Sequence, residues 1–143
     1  MVTAERVMAR LAADGYGDVR VAHGYVIQGL MAGDTTSTQL AERLGVSVQA
    51  VSKSVTELER AGYVQRRRDA RDGRARTIAL TPRGEAMVRT SRLARAELAA
   101  EIVEVLGPDR AAALTAALRD VCERYGGLAA LAGHRLRPLD AAL

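Results

Sequence analysis

The sequence predicts a mainly α-helical protein with one small β-hairpin, an α+β fold with long helical segments towards its N- and C-terminal ends. Three observations support this prediction. Two short amphipathic helices follow one another in segment 37–64, an arginine-rich segment of alternating polarity comes next, and two long stretches of helical periodicity complete the chain. We therefore expect helices to form the body of the molecule and the hairpin to project from it.

Length and composition favour a single soluble domain. The chain has 143 residues, which is enough for one hydrophobic core. Its single cysteine, Cys122, excludes an intrachain disulfide bond. The N-terminal segment is charged and amphipathic, and the chain has no run of 18 apolar residues that could cross a membrane. We expect a cytoplasmic protein with no membrane partner.

Positive charge is concentrated in one part of the chain. Residues 47–95 contain twelve basic and five acidic residues, a net charge of +7. The remaining residues contain nine basic and twelve acidic residues, a net charge of −3. Because clustered cations release counterions when they neutralise phosphates, this distribution indicates a nucleic-acid partner.

The first two helices are predicted from apolar spacing. The first covers residues 3–13 and ends at the breaker DGYG. Asp18 is the expected N-cap of the second helix, which ends at AGDTTS.

The next two helices are separated by a tight turn. Gly45 permits that turn, and Ser47 is a natural N-cap for the helix that follows it. Val55 and Leu58 lie within about 40° of Val51 on this helix, and the three residues predict a buried stripe. The opposite side is polar, basic and free of carboxylates at its N-terminal end. A helix that reads base edges in the major groove has this character, and an ordinary surface helix is the alternative.

The segment RRRDARDGRARTIALT contains six arginines within eleven residues, interrupted by aspartates and a glycine. Val64 in one arm and Ile78 and Leu80 in the other alternate with polar residues, as in two short strands. Asp72 and Gly73 are strong turn formers. The run is therefore predicted to be a hairpin and not a basic tail.

Two long helices complete the chain. Thr81 and Pro82 are the expected N-cap and first residue of a helix that extends to about Leu106 and is broken by Gly107 and Pro108. The final helix has an apolar stripe at steps of four and three residues. This stripe predicts a helical dimer interface, and an intramolecular helix pair is the alternative. Its members are Leu114, Leu118, Val121, Tyr125 and Leu128.

The order of these parts resembles the MarR family of bacterial winged-helix transcriptional regulators. The motifs that carry the resemblance are LAERLGVSVQAVSKSVTELERAGYVQR at residues 40–66, Asp72-Gly73-Arg74, and Leu80-Thr81-Pro82-Arg83-Gly84.

The resemblance covers nearly the whole chain and implies one MarR-like domain over residues 1–143. Its parts are a winged helix-turn-helix DNA-binding lobe at 32–82, helical dimerisation regions at 1–31 and 83–132, and a C-terminal tail at 133–143.

The resemblance also implies a homodimer whose two lobes bind adjacent major grooves of a pseudo-palindromic operator in double-stranded DNA. Arg74 is expected to enter the minor groove, and Asp72 to brace it. The full set of expected DNA contacts is Ser47, Gln49, Ala50, Ser52, Lys53, Thr56, Arg71, Arg74 and Arg76.

Family members are typically released from DNA by a small organic effector or by cysteine oxidation. Tyr16, His23 and Tyr25 form a candidate effector pocket between the second helix and the wing lobe, and a helix-packing role is the alternative for His23. Cys122 is expected to be structural. No pair among His23, His134 and Cys122 has helical ligand spacing, so we expect no metal and no cofactor.

The sequence therefore predicts a sequence-specific DNA-binding transcriptional regulator, a dimeric repressor released by a small-molecule effector. The alternative is a non-specific architectural DNA-binding protein, or a winged-helix interaction module without ligand sensing. An enzyme is not expected, because the chain has no phosphate-binding glycine loop and only two histidines for a nucleophile–histidine–acid set.

Overall fold

The computed structural model describes residues 2–33, 35–68 and 76–124. Within these ranges it contains a two-stranded antiparallel hairpin and helices before and after it, which confirms the predicted architecture. In chain order the elements are α1 (Val2–Leu11), α2 (Val21–Leu30), α3 (Ser37–Leu44), α4 (Val48–Arg60), β1 (Val64–Arg68), β2 (Arg76–Leu80), α5 (Pro82–Leu106) and α6 (Pro108–Arg124).

The connection from α1 to α2 differs from the prediction. A π-helical turn continues α1 to Tyr16, and Gly15 within it has a φ of 87°, a value that favours glycine. The predicted N-cap Asp18 is wrong, because Arg20 holds the extended N-cap conformation and α2 begins one residue later. Asp18 instead accepts a hydrogen bond from the Tyr63 hydroxyl.

The helix-turn-helix forms where the sequence predicts it. Gly45 ends α3 with a φ of 68°, in the left-handed region. Ser47 then caps α4, because its Oγ accepts a hydrogen bond from the Ala50 N–H at 3.1 Å. The predicted stripe of α4 is buried: Val51, Val55 and Leu58.

The hairpin is also confirmed. Strands β1 and β2 pair from Val64 opposite Leu80 to Arg68 opposite Arg76. Val64 and Ile78 are buried, and Leu80 is half-buried. The predicted turn, which includes Asp72 and Gly73, lies outside the described residues.

One hydrophobic core joins the helices to the hairpin. Helix α2 packs against α3, α4 and β2, and so shares this core with the helix-turn-helix. The placement of the boundary between lobe and dimerisation region at residue 32 stays a prediction. The largest fully buried side chains are Tyr63, Leu40, Leu58, Ile78, Val51, Val55 and Val64.

Helix α5 begins in close contact with the chain that precedes the hairpin. Thr81 caps the helix as predicted: its Oγ1 accepts a hydrogen bond from the Gly84 N–H at 3.1 Å and donates one to the Gly62 carbonyl at 2.6 Å. The Thr81 N–H donates to the Tyr63 carbonyl at 3.0 Å. A Cβ atom on Gly84 would lie 2.1 Å from that same carbonyl oxygen, so this position requires glycine. The contact between the Tyr63 carbonyl and the first turn of α5 thus accounts for Thr81 and Gly84 in the motif Leu80-Thr81-Pro82-Arg83-Gly84.

Ion pairs connect α1 to the C-terminal half of α5. Arg6 binds the Glu101 carboxylate at 2.5 and 2.6 Å, and Arg10 binds Glu97 at 2.8 Å.

Helix α6, by contrast, buries only Ala111 among the residues described for it. Leu114, Leu118 and Val121 of its predicted apolar stripe are exposed on the single chain, and Tyr125 and Leu128 lie outside the described residues. No helix in the described part of the chain has both the length and the apolar character needed to span a membrane.

Gly84→Ala is expected to lower the free energy of unfolding by about 1–3 kcal/mol, the usual cost of overpacking. The neighbouring atom is a backbone carbonyl, which cannot rotate away as a side chain can. Urea denaturation measures the difference. Gly24→Ala is the matched control, because a Cβ there meets no atom within 4 Å and alanine favours the helix. Equal stability of Gly84→Ala and the wild type would contradict the close contact between Gly84 and the Tyr63 carbonyl.

Candidate nucleic-acid interface

The N-terminal end of α4 presents an exposed polar surface. Ser47, Gln49, Ala50 and Lys53 are exposed, and Ser52 is half-buried. The first turn of α4 contains no acidic residue. Five of the predicted contact residues therefore lie together on one surface that a phosphate or a base edge could approach without electrostatic repulsion.

Both glutamates of α4 form ion pairs with arginines of the same chain. The Glu57 carboxylate accepts a hydrogen bond from the Arg20 guanidinium, before α2, and contacts His23. The Glu59 carboxylate binds the Arg66 guanidinium and accepts the Arg66 N–H at 3.3 Å. These pairs neutralise the acidic groups and hold the helix from two sides.

Thr56 has a structural position. Its hydroxyl donates to the Ser52 carbonyl at 2.9 Å and lies 3.3 Å from an Arg66 Nη atom that donates to it. Thr56 thus belongs to the contact between α4 and β1. A DNA contact by Thr56 stays a prediction.

The arginines of the hairpin strands divide into two groups. Arg66 is half-buried against α4, whereas Arg67, Arg68 and Arg76 are exposed. The other predicted wing residues, Arg71, Asp72 and Arg74, lie outside the described residues, so their roles stay predictions.

The junction between α2 and α4 was not found from the sequence. His23 is buried, and its Nε2 lies 2.9 Å from Glu57 Oε2. The Arg20 N–H donates to His23 Nδ1 at 3.3 Å, and the Arg20 guanidinium lies 3.2 Å from His23 Nε2, so Nε2 lies between a guanidinium and the Glu57 carboxylate. Burial of the ring, followed by the nearby Arg20 charge, lowers the pKa of His23, and Asp18 opposes this shift. The neutral form is the one that the junction favours.

A second unforeseen cluster surrounds Tyr63. Its hydroxyl donates to the Asp18 carboxylate and accepts from Arg83 at 3.1 Å. The Arg83 guanidinium also lies 4.8 Å from the centre of the Tyr63 ring and 5.5 Å from that of Tyr16. Burial and the Asp18 hydrogen bond raise the pKa of Tyr63 to about 12, so the phenol stays protonated.

An apolar groove lies between α1, α2 and α5, with a cavity volume of about 140 Å³. Its walls include Val7, Leu11, Ile27, Met87 and Val88, and three arginines reach it: Arg20, Arg92 and Arg95.

The predicted effector residues lie elsewhere. Tyr16 packs against Tyr63 and Arg83, His23 faces Glu57, and Tyr25 is half-buried; none of the three lines this groove. An effector role for Tyr16, His23 and Tyr25 stays a prediction.

Potential metal ligands are scattered in the structure. Within residues 2–33, 35–68 and 76–124, no three His, Cys, Asp or Glu side chains group closely enough to hold a metal ion. Cys122 is a half-buried free thiol on α6.

Comparison with known proteins identifies a family. A family model described as MarR family matches residues 18–75. No curated protein matches the sequence significantly.

Solved structures match most of the chain. FabT from Streptococcus pneumoniae, solved in complex with DNA, is 23% identical with a TM-score of 0.70, covering 87% of this chain and 89% of FabT. RV1404 from Mycobacterium tuberculosis is 25% identical with a TM-score of 0.75, covering 85% of this chain and 84% of its own. A mutant MepR from S. aureus, bound to an oligodeoxyribonucleotide, is 22% identical with a TM-score of 0.64, covering 87% of this chain and 90% of MepR.

The lowered pKa of His23 predicts a pH-dependent stability. A group with a lowered pKa in the folded state stabilises fully above its ordinary pKa of 6.5, and this stability is lost as the pH falls through the lowered value. Denaturation between pH 7 and pH 5 should therefore show falling stability, and His23→Gln should flatten that fall. An unchanged slope in His23→Gln would contradict the assignment of a buried neutral imidazole between Arg20, Asp18 and Glu57.

Proposed function

Since the chain belongs to the MarR family of winged helix-turn-helix transcriptional regulators, we propose that it is a sequence-specific DNA-binding protein, a dimeric repressor released by a small-molecule effector. One observation carries the proposal: the N-terminal end of α4 is exposed, polar and free of carboxylates, while both glutamates of that helix are paired with arginines of the same chain. The partner is a pseudo-palindromic operator in double-stranded DNA, and a cytoplasmic location goes with this function.

Different side chains of α4 contact different parts of the DNA. Gln49 has the amide that pairs with adenine in the major groove, and Lys53 can donate to guanine or to a phosphate. Ser47 and the free N–H groups at the start of the helix suit a phosphate oxygen. Ala50 and Ser52 lie beside them and allow close approach to the DNA.

The wing supplies contacts outside the major groove. In this proposal Arg74 enters the minor groove, Asp72 braces its guanidinium, and Arg71 and Arg76 bind phosphates. The exposed strand arginines Arg67 and Arg68 add positive charge beside them. The DNA complexes of FabT and MepR support this choice of partner.

Dimerisation would cover the open face of α5 and α6. Val105 is 81% exposed and Leu118 is 56% exposed, although both side chains are apolar. Large apolar patches on a soluble protein usually mark an interface. A second copy of the chain that packs on this face would also place two α4 helices for two half-sites about one helical turn apart.

An effector would bind at the junction between the lobe and the long helices. The apolar groove supports this part of the proposal, because it lies between α1, α2 and α5 and has room for a small ligand.

Selection of bound DNA from a random pool tests the central proposal. The wild-type protein should select one pseudo-palindrome. On that site Gln49→Ala and Lys53→Ala should each weaken binding by about 1–3 kcal/mol, the usual contribution of a base-reading pair, with a much smaller effect on random DNA. Arg119→Ala, which removes an exposed charge on α6, is the control for loss of charge alone.

Equal affinity for selected and random DNA would contradict sequence-specific recognition and favour an architectural protein. Wild-type binding by both α4 variants would mean that the recognition surface is misplaced.

Leu118→Glu should produce a folded monomer with greatly weakened operator binding, because a charge in a dimer interface must be desolvated and one lobe reaches only one half-site. Sedimentation measures the mass and a gel-shift titration measures the affinity. Ala116→Glu adds the same charge on the other side of α6 and should remain dimeric. A dimeric Leu118→Glu would exclude this face as the interface.

A further inference from the structure

Val48 is an exposed apolar side chain in the first turn of α4. It is 44% exposed, whereas Val51, Val55 and Leu58 of the same helix are at most 1% exposed. The other large apolar side chains that are exposed in residues 2–33, 35–68 and 76–124 lie on α2, directly after it, or on α5 and α6. We propose that Val48 contacts the C5 methyl group of a thymine in the operator and thereby specifies that base. This inference rests on the proposed function and adds a specificity-determining residue to its recognition helix.

The surface around Val48 is compatible with the edge of a base pair. Its neighbours in the sequence, Ser47 and Gln49, are exposed and polar, and the first turn of α4 contains no acidic residue. Glu59 lies on the same side of the helix, about three turns further on, and its carboxylate is paired with Arg66. DNA can therefore approach this part of α4 without meeting an unpaired carboxylate.

The chemistry of the side chain selects the base. Among the four bases, thymine is the one whose edge in the major groove offers an apolar group, the C5 methyl. Contact between this methyl and the Val48 methyls removes apolar surface from water on both molecules. Because a valine in a helix has one strongly preferred χ1 rotamer, its methyl groups are in position before the DNA binds, and little side-chain entropy is lost.

Helical geometry separates Val48 from the cation of the recognition helix. At about 100° per residue, Val48 lies about 140° from Lys53 around the helix and about 20° from Glu59. Because Glu59 binds Arg66 of β1, Val48 lies on the side of α4 that faces the hairpin. The thymine that Val48 contacts should therefore belong to a different base pair from the one that Lys53 contacts.

The first test removes one methyl group from the DNA. Deoxyuridine forms the same base pair as thymidine and lacks only the C5 methyl group, so it replaces each thymine of the selected operator in turn, symmetrically in both half-sites. At one position per half-site, the wild-type protein should bind the deoxyuridine operator about 15-fold more weakly, since one buried methyl group corresponds to about fourfold in each half-site. At that position 5-methylcytosine should bind more tightly than cytosine, because it restores the methyl group alone.

The second test is Val48→Ala, which removes the side chain that meets the methyl group. This variant should bind the thymine operator about as weakly as the wild type binds the deoxyuridine operator, and its preference for thymine should fall from about 15-fold to near unity. Val48 is exposed and alanine favours the helix, so the variant should fold, which thermal unfolding checks. Lys53→Ala is the matched control, because it weakens binding and should keep the wild-type preference for thymine at this position.

An operator with no thymine in its half-sites, or equal affinity for thymine and deoxyuridine at every position, would overturn the proposal. A wild-type preference for thymine in Val48→Ala would overturn the assignment to Val48. Loss of that preference in Lys53→Ala would also overturn it, because the preference would then depend on the overall fit of α4. These failures are distinguishable from failure of the proposed function, in which the wild-type protein selects no operator from the random pool.

Discussion

The contact of the Tyr63 carbonyl with the first turn of α5 is the constraint on which the rest of the structure depends. Gly84 lies so close to this oxygen that no side chain fits, and the Thr81 N–H donates a hydrogen bond to it. The hydroxyl of the same tyrosine reaches Asp18 and Arg83. One residue therefore connects the end of the helix-turn-helix, the chain before α2 and the start of the long helix. Backbone atoms make the closest of these contacts, and they cannot rotate away as side chains can. These contacts therefore fix the direction of α5 relative to α4.

The charged residues of α4 are separated by role. Glu57 and Glu59 attach the helix to α2 and to β1, and the opposite, N-terminal part of the helix keeps Gln49 and Lys53 free. Helical geometry allows this separation, because residues three or four positions apart share a face.

Features with a local physical cause could be predicted from the sequence, and features that depend on distant partners could not. Ser47 and Thr81 cap helices because a hydroxyl at the start of a helix finds a free N–H within its own turn. Asp18 failed as a cap because the Tyr63 hydroxyl, 45 residues away, takes its carboxylate. The Arg20, His23 and Glu57 junction joins residues more than 30 positions apart, so no spacing pattern indicates it. The buried Ile78 faces the core as alternation predicted, whereas the roles of Arg74 and Asp72 remain predictions from the family resemblance.

Lys53 allows the most direct test of the central claim, that the N-terminal end of α4 reads DNA. It is the only lysine in the chain, and it is exposed. Acetylation by an amine-reactive ester, followed by mass spectrometry, reports its accessibility, with the N-terminal amine as internal reference. The account predicts that the selected operator slows acetylation of Lys53 about tenfold or more, as expected when a side chain is buried in a specific interface, and that random DNA at the same salt concentration protects it far less. Equal acetylation rates with both DNAs would contradict the account.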